Sequence, residues 1–409
     1  MSRSLAECRV AVVGGGPAGL LAAEVLACAG VGVTVYERMP TPGRKLLVAG
    51  RGGLNLTHAE PLEPFLDRYG PARDCLAPAI TAFDPDALRE WCAGLGQETF
   101  VGTSGRVFPA GFRSTALLRA WLARLDGLGV ELRGRHTWRG WVDDEPGAVR
   151  IERPDGVESV VRADAVVLAL GGASWPRTGS DGGWVEPVGS AGVAVVPLVA
   201  ANSGFTAAWT SVFIERFAGT PVKNVAVAHR GQVARGDLMV SATGLEGGPI
   251  YALGPSLRAS MQRDGEAVVI VDLRPDVSAD ALVDRLARGR AGDSTASALR
   301  RLGVAPAAVG LMREATANRL PPRGRALAEL VKAVPMALGG PAPIGRAIST
   351  AGGIAFDELD DAYMLRRRPG TFVAGEMLDW EAPTGGYLLQ ATASTAVAAA
   401  RGALAWLRT

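Results

Sequence analysis

A mixed α/β fold, built on a parallel sheet and interrupted by a β-rich insert, is predicted from three observations. These are a strand–loop–helix–strand unit at Cys8–Arg38, a central run of short alternating segments, and a late strand and small-residue helix that return to the opening pattern. Arg9 to Val13 is a short apolar β-branched run of the kind found in buried parallel strands. Gly14, Gly16 and Gly19 follow with the spacing G-x-G-x-x-G, with Pro17 and Ala18 between the last two, and an Ala/Leu-rich segment runs to Ala29 at helical period. A second strand, Gly32 to Tyr36, ends on Glu37 and Arg38. The first glycine permits a tight turn, the second lets backbone approach a pyrophosphate, and the third lets helix pack on strand. Phosphates then meet unpaired N–H groups at a helix N-terminus, and Glu37 is placed to accept from ribose hydroxyls. The same carboxylate repels a 2′-phosphate, so FAD or NAD fits this Rossmann-like unit better than NADP.

At 409 residues the chain exceeds what one core usually serves, and two or three domains are expected. Apolar content of 48% supplies those cores, and a net charge of +2 with acids and bases interspersed predicts no nucleic-acid field. Lysine is confined to Lys45, Lys223 and Lys332; the arginine bias reads as a GC-rich coding background. Cys8, Cys28, Cys75 and Cys92 form no C-x-x-C pair, so neither disulfides nor a zinc or other metal site is expected, and a reducing cytosol is the default. No secretory leader pattern opens the chain. The terminal run "ATASTAVAAARGALAWL" carries Arg401 and reads as a packed helix rather than a membrane span. A soluble, cytoplasmic protein is expected.

Gly43 to His58, "GRKLLVAGRGGLNLTH", alternates Arg44, Lys45 and Arg51 with glycines and ends in Asn55 and Thr57. Free amides and basic side chains in such a loop suit an anionic ligand, so Arg44, Lys45, Asn55 and Thr57 are candidate cofactor contacts. The glycine fingerprint, Glu37, "GRKLL" and the "NLT" loop together resemble the BaiN/aminoacetone-oxidase-like family of bacterial flavoproteins, along essentially the whole chain. That family's loop usually reads S-G-G-G-R-C-N. Here Ala49 to Asn55 place the Arg two positions early and Leu54 where the Cys stands, which excludes cysteine chemistry at that point. The resemblance implies a backbone contact to adenine near Thr137 and Trp138, and places Thr350 and Tyr387 near the flavin. It also embraces the turn "GRVFPAGFR", where Arg106 and Arg113 suit an acidic ligand, Ser174 to Ser180, and Ser241 to Gly254.

Pro61 to Trp141 reads as helices and short strands, and Val130 to Leu170 as an antiparallel excursion leading into a third parallel strand, Ala165 to Leu170. Gly171 and Gly172 directly after it permit close backbone approach to a cofactor. Alternating runs after Gly192, including "SVFIERFAG", read as an antiparallel sheet or small barrel, and Ser278 to Leu338 as helical. The predicted domains are residues 1–192 and 340–409 for the two parts of the nucleotide fold, 193–275 for a β-barrel-like substrate domain, and 276–339 for a helical lobe. In the return, Thr371 to Ala374 is a strand that delivers Gly375, Glu376 and Asp379, and Gly385 and Gly386 open a helix at Tyr387 and Leu388. A carboxylate there binds ribityl hydroxyls, and a helix N-terminus at the flavin's pyrimidine edge stabilises the anionic reduced ring. An NAD-only domain has no use for this return.

The expectation is therefore an α/β, Rossmann-like FAD-binding domain of glutathione-reductase type, with an inserted β-rich domain and helical lobe. Its function is expected to be that of an FAD-dependent oxidoreductase on an unidentified small molecule, with hydride passing through flavin N5 and NAD(P)H or O₂ as transient partner. An RNA-modifying flavoprotein and a non-catalytic redox-sensing module are the alternatives. Catalytic residues and oligomeric state are left unassigned; His58, His136 and His229 are scattered.

Overall fold

A computed structural model of the chain describes residues 4–50, 52–143, 145–288 and 294–409; Arg51 of the predicted cofactor loop lies outside them. The chain divides into two compact units, residues 1–199 with 349–409, and residues 200–348.

The first unit is organised by a five-stranded parallel sheet. Its strands are β1 (Arg9–Val13), β2 (Gly32–Glu37), β3 (Glu131–Gly134), β4 (Ala165–Leu168) and β5 (Thr371–Val373), in the order β5-β4-β1-β2-β3. Val10–Val13, Ala165–Leu168 and Thr371–Val373 are all buried, as strands covered on both faces must be. Helix α1 (Pro17–Cys28) connects β1 to β2, and α2 (Tyr387–Trp406) follows β5. α1 and α2 pack against each other, and both carry buried small residues, among them Ala22 and Ala23 on α1 and Ala396, Ala399 and Ala400 on α2. A side chain at Gly402 would meet the Ala362 carbonyl oxygen at 2.3 Å.

Three smaller sheets complete this unit. Thr57–His58, Arg106–Pro109 and Thr99–Val101 form one antiparallel sheet, and Thr137–Trp141, Ala148–Glu152 and Glu158–Arg162 another. Val195–Ala201 pairs with Ser349–Ile354. The excursion predicted as antiparallel from Val130 thus opens with a parallel strand: β3 joins the parallel sheet beside β2, and Arg135, at φ +60°, turns the chain into the antiparallel one.

The second unit holds a six-stranded sheet, antiparallel at every pairing, in the order Phe205–Thr206, Gly244–Glu246, Gln232–Ser241, Thr220–His229, Ala267–Asp272, Val334–Leu338. Helices Ala279–Ala287, Thr295–Arg301, Pro306–Ala315 and Arg325–Lys332 share its core through Leu282, Leu299, Leu311, Leu327 and Val331, packed with Val227, Val269 and Val271. Two expectations are corrected. Ser211–Phe217 is a helix, because Thr210 Oγ1 caps it by accepting from Phe213 N at 3.3 Å and its buried Phe213 packs at Gly310. Val334–Leu338 closes the sheet instead of extending the helical lobe; its alternate residues Val334, Met336 and Leu338 are buried, the period of a strand. Sheet and helices therefore form one core.

Among the described residues, no helix is long and apolar enough to cross a membrane.

Candidate functional site

The carboxyl ends of three adjacent strands, β5, β4 and β1, lie side by side at one edge of the sheet, the kind of edge where open parallel sheets bind their ligands. Each is followed within three residues by a glycine of positive φ: Gly14 (107°) after β1, Gly171 (71°) after β4 and Gly375 (83°) after β5. Two indoles fix the last two turns, Trp184 Nε1 donating to Gly171 O at 2.7 Å and Trp380 Nε1 to Gly375 O at 2.9 Å.

At the β1 end, Gly16 caps α1, Pro17 takes its first position, and an added Cβ on Gly16 would meet nothing within 4 Å. Gly19 sits hard against the turn: its Cβ would stand 1.8 Å from Gly14 O. Ala18 faces the other end of the chain, 2.8 Å from where a Cβ on Gly375 would stand. Glu37 holds the turn by accepting from Gly15 N through Oε2 and from Met39 N through Oε1, each at 2.7 Å. Burial nevertheless dominates and pushes its carboxyl above the usual value, against the lowering by the Met39 and Gly15 amides and by Arg38 and Arg44. Ribose hydroxyls would supply the donors that an ionised Glu37 lacks.

The Gly171–Gly183 loop closes on this acid. Arg38 pairs with Asp181 at 2.6 Å, and a Cβ on Gly179 would lie 3.5 Å from Glu37 Oε1. At its other end the loop meets the C-terminal return. Lys45 Nζ donates to Glu376 Oε2 at 2.5 Å and to Ser174 Oγ at 2.8 Å; Glu376 also accepts from Thr350 N at 3.0 Å and Gly172 N at 3.4 Å. Thr350 Oγ1 accepts from Ala173 N at 2.8 Å, so close that any side chain on Gly172 would collide with it.

The opening of α2 is fixed by contact and by charge. A Cβ on Gly386 would meet the Thr57 backbone at 2.4 Å. Tyr387 donates to Glu60 Oε1 at 2.5 Å, stacks on His58 with ring centroids 5.4 Å apart, and accepts on its own carbonyl from Tyr69 OH at 2.8 Å. Arg68 grips the other side of Glu60 through two hydrogen bonds, of 3.1 and 2.7 Å. Burial, the largest single influence, raises the Glu60 carboxyl, but the bonds from Arg68 and Tyr387 outweigh it and hold the group below its usual value. Burial and then Glu60 push the Tyr387 phenol up. Tyr387→Phe is expected to lower stability by about 2 kcal/mol at neutral pH, the scale of a hydrogen bond to a charged group. Glu60's contribution is present above its unfolded value and lost as pH falls through its lower folded value. The difference between wild type and variant therefore shrinks on acidification, which urea melts at pH 7 and in the acid range will read.

Most of the predicted contacts thus come together: Gly14, Gly16, Pro17, Ala18, Gly19, Glu37, Arg38, Lys45, Gly171, Gly172, Gly375, Glu376, Gly385, Gly386 and Tyr387 line one edge. Leu388 instead packs half-buried against the core, and Asp379 stands half-buried, its carboxyl raised by burial and then by Glu381. The Trp138 ring packs edge-on to Trp141 at 5.0 Å. The residue that the turn brings to Glu37 is His136, whose amide donates to Glu37 O at 2.9 Å. Glu60, Arg68 and Ser174 went unremarked as contacts, and for Glu60 the sole signal was an acid two positions after His58.

Four buried polar atoms on the segments framing this edge have no hydrogen-bond partner: Arg44 Nε, Asn55 Oδ1, Thr57 Oγ1 and Ser180 Oγ. Each such orphan costs about 1–3 kcal/mol. A ligand carrying hydroxyls and phosphates would satisfy them, so the residues present fit a flavin dinucleotide.

The model of the HI0933-like protein Rossmann domain matches residues 8–402. The chain belongs to the HI0933-like family. A 3-dehydro-bile acid Δ(4,6)-reductase of Clostridium scindens is 25% identical over 418 residues, covering 97% of this chain and 98% of that protein. A ribosomal RNA dihydrouridine synthase of Escherichia coli is also 25% identical, over 402 residues, covering 96% of this chain and 97% of that protein. The 3-ketosteroid Δ1-dehydrogenase of Sterolibacterium denitrificans, solved with 1,4-androstadiene-3,17-dione, has the same fold at TM-score 0.54 and 15% identity, over 97% of this chain and 99% of that one. This HI0933-like chain is a flavoprotein whose cofactor is FAD, and an oxidoreductase.

Proposed function

We propose that this HI0933-like protein reduces a carbon–carbon double bond conjugated with a carbonyl in a small molecule, one carbon receiving a hydride and the other a proton from solvent, with NAD(P)H as the reductant and O₂ as an alternative acceptor. When bound, FAD supplies the hydride from its N5 position. The observation that supports the flavin part of the reading is the meeting of the chain's two ends, where Lys45 pairs with Glu376 and Ala18 lies against Gly375. In this reading Glu37 accepts from ribose hydroxyls, Glu376 from the ribityl chain, and the first-turn amides of α2 stabilise negative charge at the pyrimidine edge of the ring. Asn55 and Thr57 complete the cradle. The names of the bile-acid reductase and the dihydrouridine synthase support the class of bond, since each describes hydrogen added across a double bond conjugated to a carbonyl.

The second of these relatives also supports a second reading, in which the double bond belongs to a uracil of RNA. Anaerobic titration of the purified yellow protein with NADH and NADPH, followed by a Δ4-3-ketosteroid or by unmodified ribosomal RNA, tests both. Reduction by a nicotinamide and reoxidation by one of the two acceptors is expected. Flavin that no nicotinamide reduces and neither acceptor reoxidises contradicts the proposal and favours a redox-sensing module.

A further inference from the structure

The antiparallel sheet Thr57–His58, Arg106–Pro109, Thr99–Val101 has two unlike faces. Thr57 and Val107 point inward and are fully buried. The opposite face carries His58 paired with Arg106, and Phe108 paired with Phe100. Phe112 lies on top of it, so that three rings meet: Phe100–Phe108 at 5.8 Å, Phe100–Phe112 at 5.0 Å and Phe108–Phe112 at 5.5 Å. This cluster is open to solvent, with Phe100 36% and Phe112 48% exposed. Phe112 reaches it from a left-handed backbone at φ +54°, a conformation a bulky residue rarely takes. Arg106 lies on the same face as Phe108, and Arg113 follows Phe112 in the chain; both are exposed, and among the described residues neither has an ion-pair partner. The face also adjoins the cofactor loop: a Cβ on Gly53 would touch Phe112 at 3.2 Å, and Leu54 N donates to Phe112 O at 3.3 Å.

We infer that this face is a docking platform for single-stranded RNA, its bases stacking on Phe100, Phe108 and Phe112 and its phosphates meeting Arg106 and Arg113. The inference rests on the second reading above. A small molecule buries most of its surface in a concave pocket, whereas an open sheet face bearing rings and cations is how unpaired bases are held. The near-neutral net charge is compatible, because stacking rather than a basic field carries the affinity. Two phosphate contacts at about 0.7 each give a salt slope of roughly 1.4, shallow for a nucleic-acid binder.

The test is fluorescence anisotropy of the FAD-loaded full chain with a labelled single-stranded oligouridylate. Binding with that shallow slope is expected, with blunt duplex RNA failing to compete. Phe100→Ala and Phe112→Gly, the latter suited to the positive φ, should each weaken binding about tenfold, the loss of one stacked base. Arg113→Gln should weaken it severalfold and lower the slope. Flavin content and NAD(P)H reduction, measured on the same samples, report separately on the cofactor and should not change in Phe100→Ala and Arg113→Gln. Absence of binding by wild type, binding indifferent to all three substitutions, displacement of the oligonucleotide by a steroid carboxylate, or burial of the face in a dimer on sedimentation would each overturn the platform.

Discussion

Gly16→Ala is expected to leave the flavin-free protein as stable as wild type and yet abolish FAD binding, while Gly19→Ala damages both. The two glycines lie in the same turn but meet different things. A Cβ at Gly16 meets no protein atom within 4 Å, and its φ of −80° suits any residue. In the proposed reading a pyrophosphate comes close in the open volume in front of the α1 amides, so the methyl would displace ligand and not protein. At Gly19 the Cβ would stand 1.8 Å from Gly14 O and 3.3 Å from Val12 Cγ1. The turn is confined on its other side as well, since a Cβ added at Gly14 would itself stand 2.3 Å from Ala169 O. α1 must move off the sheet, a cost of about 3 kcal/mol by the scale of overpacked cores, or several degrees in thermal midpoint. Differential scanning fluorimetry with and without added FAD separates the outcomes. A flavin-replete Gly16→Ala protein would show that the loop does not carry the pyrophosphate.

Glu376→Ala is expected to have the other large effect. It removes the acceptor shared by Lys45 Nζ, Thr350 N and Gly172 N, and with it the tie between the short helix Arg44–Ala49 and the turn Gly375–Met377 that follows β5. Both side chains of the ion pair are mostly but not fully buried, at 25% and 16% exposure, so the loss is scaled down from that of a fully buried pair to about 2 kcal/mol. Weaker FAD binding is expected beside that loss of stability, read by quenching of flavin fluorescence on titration. Glu376→Gln keeps an acceptor for the two amides and is expected to recover part of the affinity; Lys45→Met should weaken binding less than Glu376→Ala, because it strands no cation.

Local patterns were legible and long-range meetings were not. Strand, glycine loop, helix and terminal acid between Arg9 and Glu37 follow from period and turn chemistry, and the same rules located β4, β5 and the start of α2 at Tyr387. Ser211–Phe217 misled because Val, Phe and Ile favour strands, while the deciding cap is a single hydroxyl on Thr210. Val334–Leu338 was hidden behind a strongly helical neighbour, and its alternation shows only once Ala267–Asp272 is beside it. Within the site, glycines and acids at strand ends announced themselves. The Glu60–Tyr387 bond did not, for its partners are 327 residues apart and no spacing rule reaches that far. Net charge likewise averages over the whole surface and is silent about the ring cluster at Phe100, Phe108 and Phe112.

The central claim is that two distant parts of one chain close on a single FAD. The direct measurement is the flavin released by denaturing purified protein, identified by chromatography and counted against the polypeptide. One FAD per chain, or uptake to that ratio when FAD is supplied, is the predicted result. A colourless protein that takes up none would contradict it.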